Sequence, residues 1–375
     1  MKKYKLLYFV SEDEYFLTHK IDQAKSALKN KFDVLVVCNF KNYEKKIQSY
    51  GFKTKNLNLN RKSINPIKEL LCLIRFFLIV LGYKPDLIQS IALKPILYTS
   101  IISPFIKNKT KIILCVVGLG YIFITKNFFA KILKKIYLTL INLFLVKEKT
   151  FFVFQNTDDK KIFEKETITK NSKTFIIRGS GVNTNKFKKK NSRKVFDIIF
   201  HSRILYDKGF LELIDAIKHL KKKMRISALV LGNPDQKNRS SIEFSKINKW
   251  KKEKLIIWKK KEENVISFLQ QSKVAVLPSY REGLPKALLE AASCELPLIT
   301  TNVAGCKEIC LHNHNGLLVE PRDSISLSKA IKKILTNEKL AKKFGRNGRK
   351  LVEKNFSTKI VEKGFLKVYR RCVLK

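Results

Sequence analysis

Two glutamates eight residues apart, Glu282 and Glu290, bracket the turn Gly283-Leu284-Pro285 in "PSYREGLPKALLEAASCELPLIT", in a chain otherwise crowded with lysine. The apolar run before it, "KVAVLPS", reads as a strand, and Pro285 suits the first turn of the helix that follows. N–H groups that open a helix attract phosphate. A carboxylate would repel that phosphate, so Glu290, about a turn and a half inside the helix, suits neutral hydroxyls such as a ribose diol. Glu282, at the strand end, suits the hydroxyls of a sugar or a developing positive charge. Two acids at this interval are common, and a surface helix with an ordinary first-turn acid would read the same way. Weight comes from the setting, because "TTNVAGCKEI" and "NGLLVEP" follow.

A second constellation lies upstream in "IIFHSRILYDKGFLELIDAI", with Arg203 just past a strand and Lys208 before a helix. Two fixed cations at such a loop are what a diphosphate leaving group requires when no metal neutralises it. No Asp-x-Asp occurs in the chain to chelate a nucleotide-bound cation, so no metal or other cofactor is expected. A pair of solvated residues in a lysine-rich chain is the alternative. Gly118 and Gly120, in "CVVGLGYIF", permit close backbone approach to a phosphate or sugar, or else form a tight turn. They do not make a dinucleotide fingerprint. His19, in "SEDEYFLTHK" after the first strand, is a candidate acceptor ligand or base; a histidine opening an amphipathic helix equally caps or packs it. Cys306, Cys310, His312 and His314 crowd together in "CKEICLHNHNG", but their spacing matches no standard zinc site.

The elements that must hold these residues alternate along the chain. "YKLLYFV", "FDVLVVC", "DLIQSI" and "KIILCVVG" are short runs apolar on both faces, joined by helical segments through "THKIDQAKSALKN" and 65–82. Such runs imply a parallel sheet in an α/β domain. The pattern restarts after the lysine-rich stretch 183–194 with "VFDIIFHSRI", "RISALVLGN", "KLIIWKK" and "KVAVLPS". At 375 residues, two domains are the natural expectation: 1–182, 183–355, and a terminal helix in 356–375. Two doubly wound Rossmann-like domains place ligands at the carboxyl ends of their sheets, facing a central cleft.

Lys+Arg total 77 against 31 Asp+Glu, a formal charge of +46. That sign favours polyanionic partners such as nucleic acid, anionic lipid or phosphorylated ligands, although lysines scattered on solvated faces read largely as compositional bias. No compact nucleic-acid motif or aromatic-interleaved basic stripe appears, which disfavours specific nucleic-acid binding. Seven cysteines without Cys-x-x-Cys pairs fit a reducing cytoplasm. "MKKYKLLYFVSEDE" lacks a signal-peptide cleavage pattern. "LLCLIRFFLIVLG" is short and carries Arg75, and "FFAKILKKIYLTLINLFLV" contains three lysines, so neither qualifies cleanly as a membrane span. Residues 126–149 read either as a membrane-surface helix or as a buried one whose lysines snorkel.

Taken together, residues 197–320 resemble the nucleotide-binding half of the GT-B glycosyltransferases of family 4, through "SRILYDKG", "EGLPKALLE", "TNVAGCKEI" and "NGLLVEP". "FQNTDDKKIF", "IRGSGVNTNKF", "IALKPILYTS" and "VVGLGYIF" look like the amino half of bacterial enzymes that build lipid-linked saccharides and surface polysaccharides. The resemblance implies retaining, metal-independent transfer of a hexose or N-acetylhexosamine from a nucleotide diphosphate sugar, UDP-linked, to a saccharide or polyprenyl-diphosphate-linked acceptor. It implies that Arg203 and Lys208 stabilise the diphosphate, Glu282 contacts the donor sugar, and the Gly283–Pro285 backbone holds sugar and phosphate. Glu290 would bind the ribose, and the leaving diphosphate could itself accept the acceptor hydroxyl's proton. The terminal helix would cross back onto the amino domain, and the enzyme would sit in the cytoplasm, peripheral on the inner face of the membrane. A soluble acceptor is the alternative. Two departures stand out: "SEDEYFLTHK" replaces the Gly-Gly loop of many relatives, and no histidine occupies Val117 or Gly118.

Overall fold

The computed structural model describes residues 3–60, 63, 65–119, 123, 127–167, 173–236, 238–260 and 264–373. The chain divides into two compact units, residues 1–180 with 359–375, and residues 181–358. Each is built on one wholly parallel sheet.

In the first unit the strands are β1 (Tyr4–Glu12), β2 (Phe32–Asn39), β3 (Lys53–Asn56), β4 (Leu87–Ile91), β5 (Lys111–Val116), β6 (Thr150–Phe154) and β7 (Lys173–Ile176). Their spatial order is β3-β2-β1-β4-β5-β6-β7, with Leu6 opposite Leu87 and Phe9 opposite Ser90. Because side chains alternate along a strand, Leu6, Tyr8 and Val10 enter one apolar cluster and Leu7 and Phe9 the other. Strands apolar on both faces are therefore covered on both. The chain order reverses direction between β1 and β4, the position where doubly wound sheets open a crevice at their carboxyl ends.

The helix expected through "THKIDQAKSALKN" is instead two, Asp13–His19 and Ile21–Lys29. His19 thus closes a short helix rather than opening an amphipathic one. Asp13 explains the early start: its buried carboxylate accepts from the backbone N–H groups of Glu14, Lys41, Asn42 and Tyr43 at 2.8–2.9 Å. Burial alone pushes this carboxyl up, but the four donors outweigh it and hold the group below its ordinary range. A depressed folded-state pKa means stability present above the unfolded value and lost as pH falls through the folded one. Asp13→Asn is expected to lower stability by about 1–3 kcal/mol at neutral pH, with the deficit shrinking below about pH 4. Urea unfolding of both proteins across that range checks it; a constant deficit would assign Asp13 no charge-dependent role.

The last helix, Thr358–Val373, belongs to the first unit. Val361, Phe365, Val368, Tyr369 and Cys372 complete the cluster that holds Leu6 and Tyr8. Its hydroxyl-bearing anchor is Tyr369, which meets Tyr8 Oη at 2.6 Å, accepts from Gln23 Nε2 and donates to Gln89 Oε1.

The second unit contains β8 (Phe196–His201), β9 (Ala228–Leu231), β10 (Ile257–Lys259), β11 (Ser272–Leu277), β12 (Leu298–Thr301) and β13 (Gly316–Val319), in the order β10-β9-β8-β11-β12-β13. Val274 pairs with Ile198 and Ala275 with Ile199. Here the reversal falls between β8 and β11. Among the described residues no helix is long and apolar enough to cross a membrane.

Candidate active site

Two loops leave the carboxyl ends of β8 and β11, and strand order makes them neighbours although many residues separate them along the chain. After His201 the first passes Arg203 and a short turn, Tyr206–Lys208, before the helix Phe210–Lys221. Gly209 sits at φ 65°, and a Cβ there would lie 1.9 Å from the carbonyl oxygen of Pro278. Only glycine permits so close an approach at that backbone angle. The second loop is tied to the first by Tyr280 N–H donating to Asp207 O at 2.9 Å.

This junction brings Lys208 and Glu282 together as an ion pair, with side chains only 15% and 11% exposed. Ser279 Oγ donates to the same carboxylate oxygen at 2.8 Å, and Thr301 Oγ1 donates to Ser279 O. A third loop braces the pair from beyond β12. Gly305, at φ 78°, would place a Cβ 2.5 Å from Gly283 O and 2.6 Å from Glu282 O. Gly283, Leu284 and Pro285 then lead into the helix Lys286–Ser293, which no side-chain hydrogen bond caps. Its first-turn N–H groups are the kind of donors an anion satisfies.

Glu290 lies inside that helix and is buried, its two oxygens 3.5 Å from His201 Nδ1 and 3.7 Å from Lys286 Nζ. An acid, a histidine and a lysine thus share one spot beside the helix opening. Arg203 takes a different partner: its Nη1 pairs with Asp235 at 2.9 Å, and the side chain is half exposed. The two cations expected at this strand-to-helix loop are both there but take separate partners, Lys208 inward on Glu282 and Arg203 on the half-exposed pair with Asp235. His201, Ser279, Thr301 and Asp235 escaped the sequence reading. Only His201 carried a usable signal, as the last residue of a strand at the point where chain order reverses.

The remaining candidates stand on the first unit. Gly118 follows β5 at φ 128°, and Gly120 lies outside the described residues. His19 Nδ1 lies 2.7 Å from Thr18 Oγ1, and its ring stacks on Tyr15 with centroids 4.6 Å apart. Among the described residues, no three His, Cys, Asp or Glu side chains cluster as metal ligands. Cys306 and Cys310 are core residues, and burial pushes the Cys306 thiol up to about 12, helped by the charge of Glu282. His312 Nδ1 accepts from Leu318 N–H at 3.0 Å.

Comparison with known proteins matches residues 182–351 to the family described as glycosyl transferases group 1 and residues 5–155 to glycosyl transferase 4-like. The chain is similar to the N,N'-diacetylbacillosaminyl-diphospho-undecaprenol alpha-1,3-N-acetylgalactosaminyltransferase of Campylobacter jejuni, at 26% identity over 92% of this chain and 93% of that protein. It is also similar to the capsular polysaccharide biosynthesis glycosyltransferase CapM of Staphylococcus aureus, at 34% identity over 44% and 43% of the two chains. A crystal structure of a glycosyltransferase from Rickettsia africae shares the fold, with a TM-score of 0.79, 19% identity and coverage of 100% and 99%.

Proposed function

The chain belongs to the group 1 glycosyl transferases of the GT-B fold, and we propose that it moves a hexose or N-acetylhexosamine from a UDP-linked donor to a polyprenyl-diphosphate-linked saccharide. The observation that carries this reading is the Lys208–Glu282 pair, set between the ends of β8 and β11 beside an uncapped helix. The Campylobacter relative, whose name specifies a diphospho-undecaprenol-linked saccharide and N-acetylgalactosaminyl transfer, supports the acceptor class.

In this reading the diphosphate lies at the first turn of the helix Lys286–Ser293, where backbone N–H groups and the helix dipole favour anions. Lys208 Nζ turns from Glu282 toward the departing diphosphate, and Arg203 exchanges Asp235 for an outer phosphate oxygen. Positive charge brought to where negative charge develops stabilises the transition state, and in this reading it stands in place of a divalent cation. Glu282, released from Lys208, accepts from hydroxyls of the donor sugar. Glu290 accepts from the ribose diol, oriented by His201. The sugar leaves with its anomeric configuration retained, and the diphosphate takes the acceptor hydroxyl's proton. Acceptor placement at a membrane surface follows from its lipid tail.

A screen of UDP-hexoses and UDP-N-acetylhexosamines with an undecaprenyl-diphosphate-linked saccharide tests the reading, with release of UDP and product mass as readouts. Transfer from one donor, undiminished by a chelator and giving an α-linked product from an α-linked donor, is expected. No lipid-linked product with any of these donors, or loss of transfer on chelation, would sink the corresponding part.

A further inference from the structure

The helix Pro66–Tyr83 carries two apolar stripes, and the first unit covers one. Phe76 and Val80 point into the sheet cluster. Ile67, Leu70, Leu71, Ile74, Leu78 and Leu81 are all exposed, from 44% to 72%. At 3.6 residues per turn these six fall within about 100° of one another, on the side opposite Phe76 and Val80. The helix Phe128–Phe144 repeats the arrangement. Tyr137, Leu138 and Ile141 enter the same cluster on the same sheet face, while Phe128, Phe129 and Leu143 are more than 70% exposed. Both helices adjoin the helix Leu93–Ile102. Phe105, 65% exposed, sits edge-on to Phe77 of the first helix. Exposed apolar surface on this scale marks a docking site.

The charges around it select the occupant. Lys68, Arg75, Lys131 and Lys135 are exposed on these two helices. The one acid on either, Glu69, is tied to Lys94 at 2.7 Å and accepts from Tyr98 Oη. On the second helix Lys134 is likewise paired, with Glu166 at 2.6 Å, so the exposed charges that the two helices themselves carry are cationic; such a rim repels a second copy of itself and is complementary to anionic headgroups. We propose that these two helices form a bilayer-docking face, laying their outward apolar stripes into the headgroup region of an anionic membrane. The helix Pro66–Tyr83 supplies the larger share, although its letters had marked it only as too short to span. This deepens the membrane part of the proposed function, and it is tested without donor or acceptor, so the two readings fail separately.

The full chain is sedimented with vesicles of equal parts phosphatidylglycerol and phosphatidylcholine, and with pure phosphatidylcholine, at low and physiological salt. Wild type is expected to bind the anionic vesicles preferentially. The variant Leu70→Glu/Ile74→Glu/Leu78→Glu should bind about tenfold or more weakly, with circular dichroism and the unfolding midpoint verifying its fold. Where it fails to fold, Lys68→Gln/Arg75→Gln/Lys131→Gln/Lys135→Gln decides, and should lose most of the anionic preference. Wild type that stays in solution with anionic vesicles at low salt overturns the proposal, as does undiminished binding by a folded variant. A concentration-dependent dimer that the glutamate substitutions abolish overturns it in favour of a second copy.

Discussion

Lys208→Ala is expected to reduce transfer by about 10²–10³-fold at saturating donor, the loss seen when one preorganised donor to developing negative charge is removed. Lys208 is well placed for so large an effect. Its ammonium is mostly withdrawn from solvent and tethered at the junction of two strand ends, where a fixed charge acts more strongly than in water. The pair with Glu282 has a structural side as well, because removing one member of a largely buried pair leaves the other uncompensated, at about 3 kcal/mol. Ser279 continues to donate to Glu282, which limits that cost.

A double-mutant cycle with Glu282→Gln separates the two roles. If the pair serves only to hold the loops, both single variants lower the unfolding midpoint and their folded fractions turn over at wild-type rate. If Lys208 faces the diphosphate, kcat falls in protein whose fold is intact. Arginine in its place should recover only part of the rate, since a planar fork does not reproduce a compact ammonium in a fitted position. Turnover within a fewfold of wild type in folded Lys208→Ala would remove this residue from the reaction.

Deleting residues 358–375 is expected to unfold the first unit while the second retains its core. The terminal helix buries five apolar side chains there. At about 1.5–3 kcal/mol each, their loss matches the whole stability of a typical domain, about 5–15 kcal/mol. Truncation also strips Tyr8, Gln23 and Gln89 of the Tyr369 hydroxyl they share in a buried site, where a missing partner costs more than a formed one contributes. The second unit, residues 181–358, has a separate cluster that draws nothing from this helix. Tyr369→Phe isolates the polar part: ring volume is kept, the hydroxyl is lost, and about 1–3 kcal/mol should go with it. Limited proteolysis and scanning calorimetry read both variants. Truncated protein that resists protease over residues 3–167 would show that the strands close their own core.

Much of this architecture was legible in the letters. Parallel strands must be covered on both faces, so they appear as short uninterrupted apolar runs, and the restart after residue 183 announced a second such set. Turn chemistry singled out the candidate loops, because a proline suits the first turn of a helix and a glycine permits a close approach beside a strand end. Chain order, however, carries no information on strand order. Lys208 and Glu282 are 74 positions apart, and β9 and β10 intervene; only the insertion of β8 beside β11 makes them partners. His201 and Glu290 met for the same reason. Arg203 pairs with Asp235, 32 positions along the chain, a partner that spacing cannot name.

Hydropathy ran out in a different way on the helix Pro66–Tyr83. A helix apolar nearly all round is consistent with complete burial or with one covered and one open stripe, and composition is the same in both. Sequence determined that two parallel α/β sheets would form and which loops could carry charge to a ligand, because those follow from local periodicity and backbone preference. Tertiary structure alone decided which charges neutralise one another and which apolar face was left uncovered, because each depends on what packs against a residue from far along the chain.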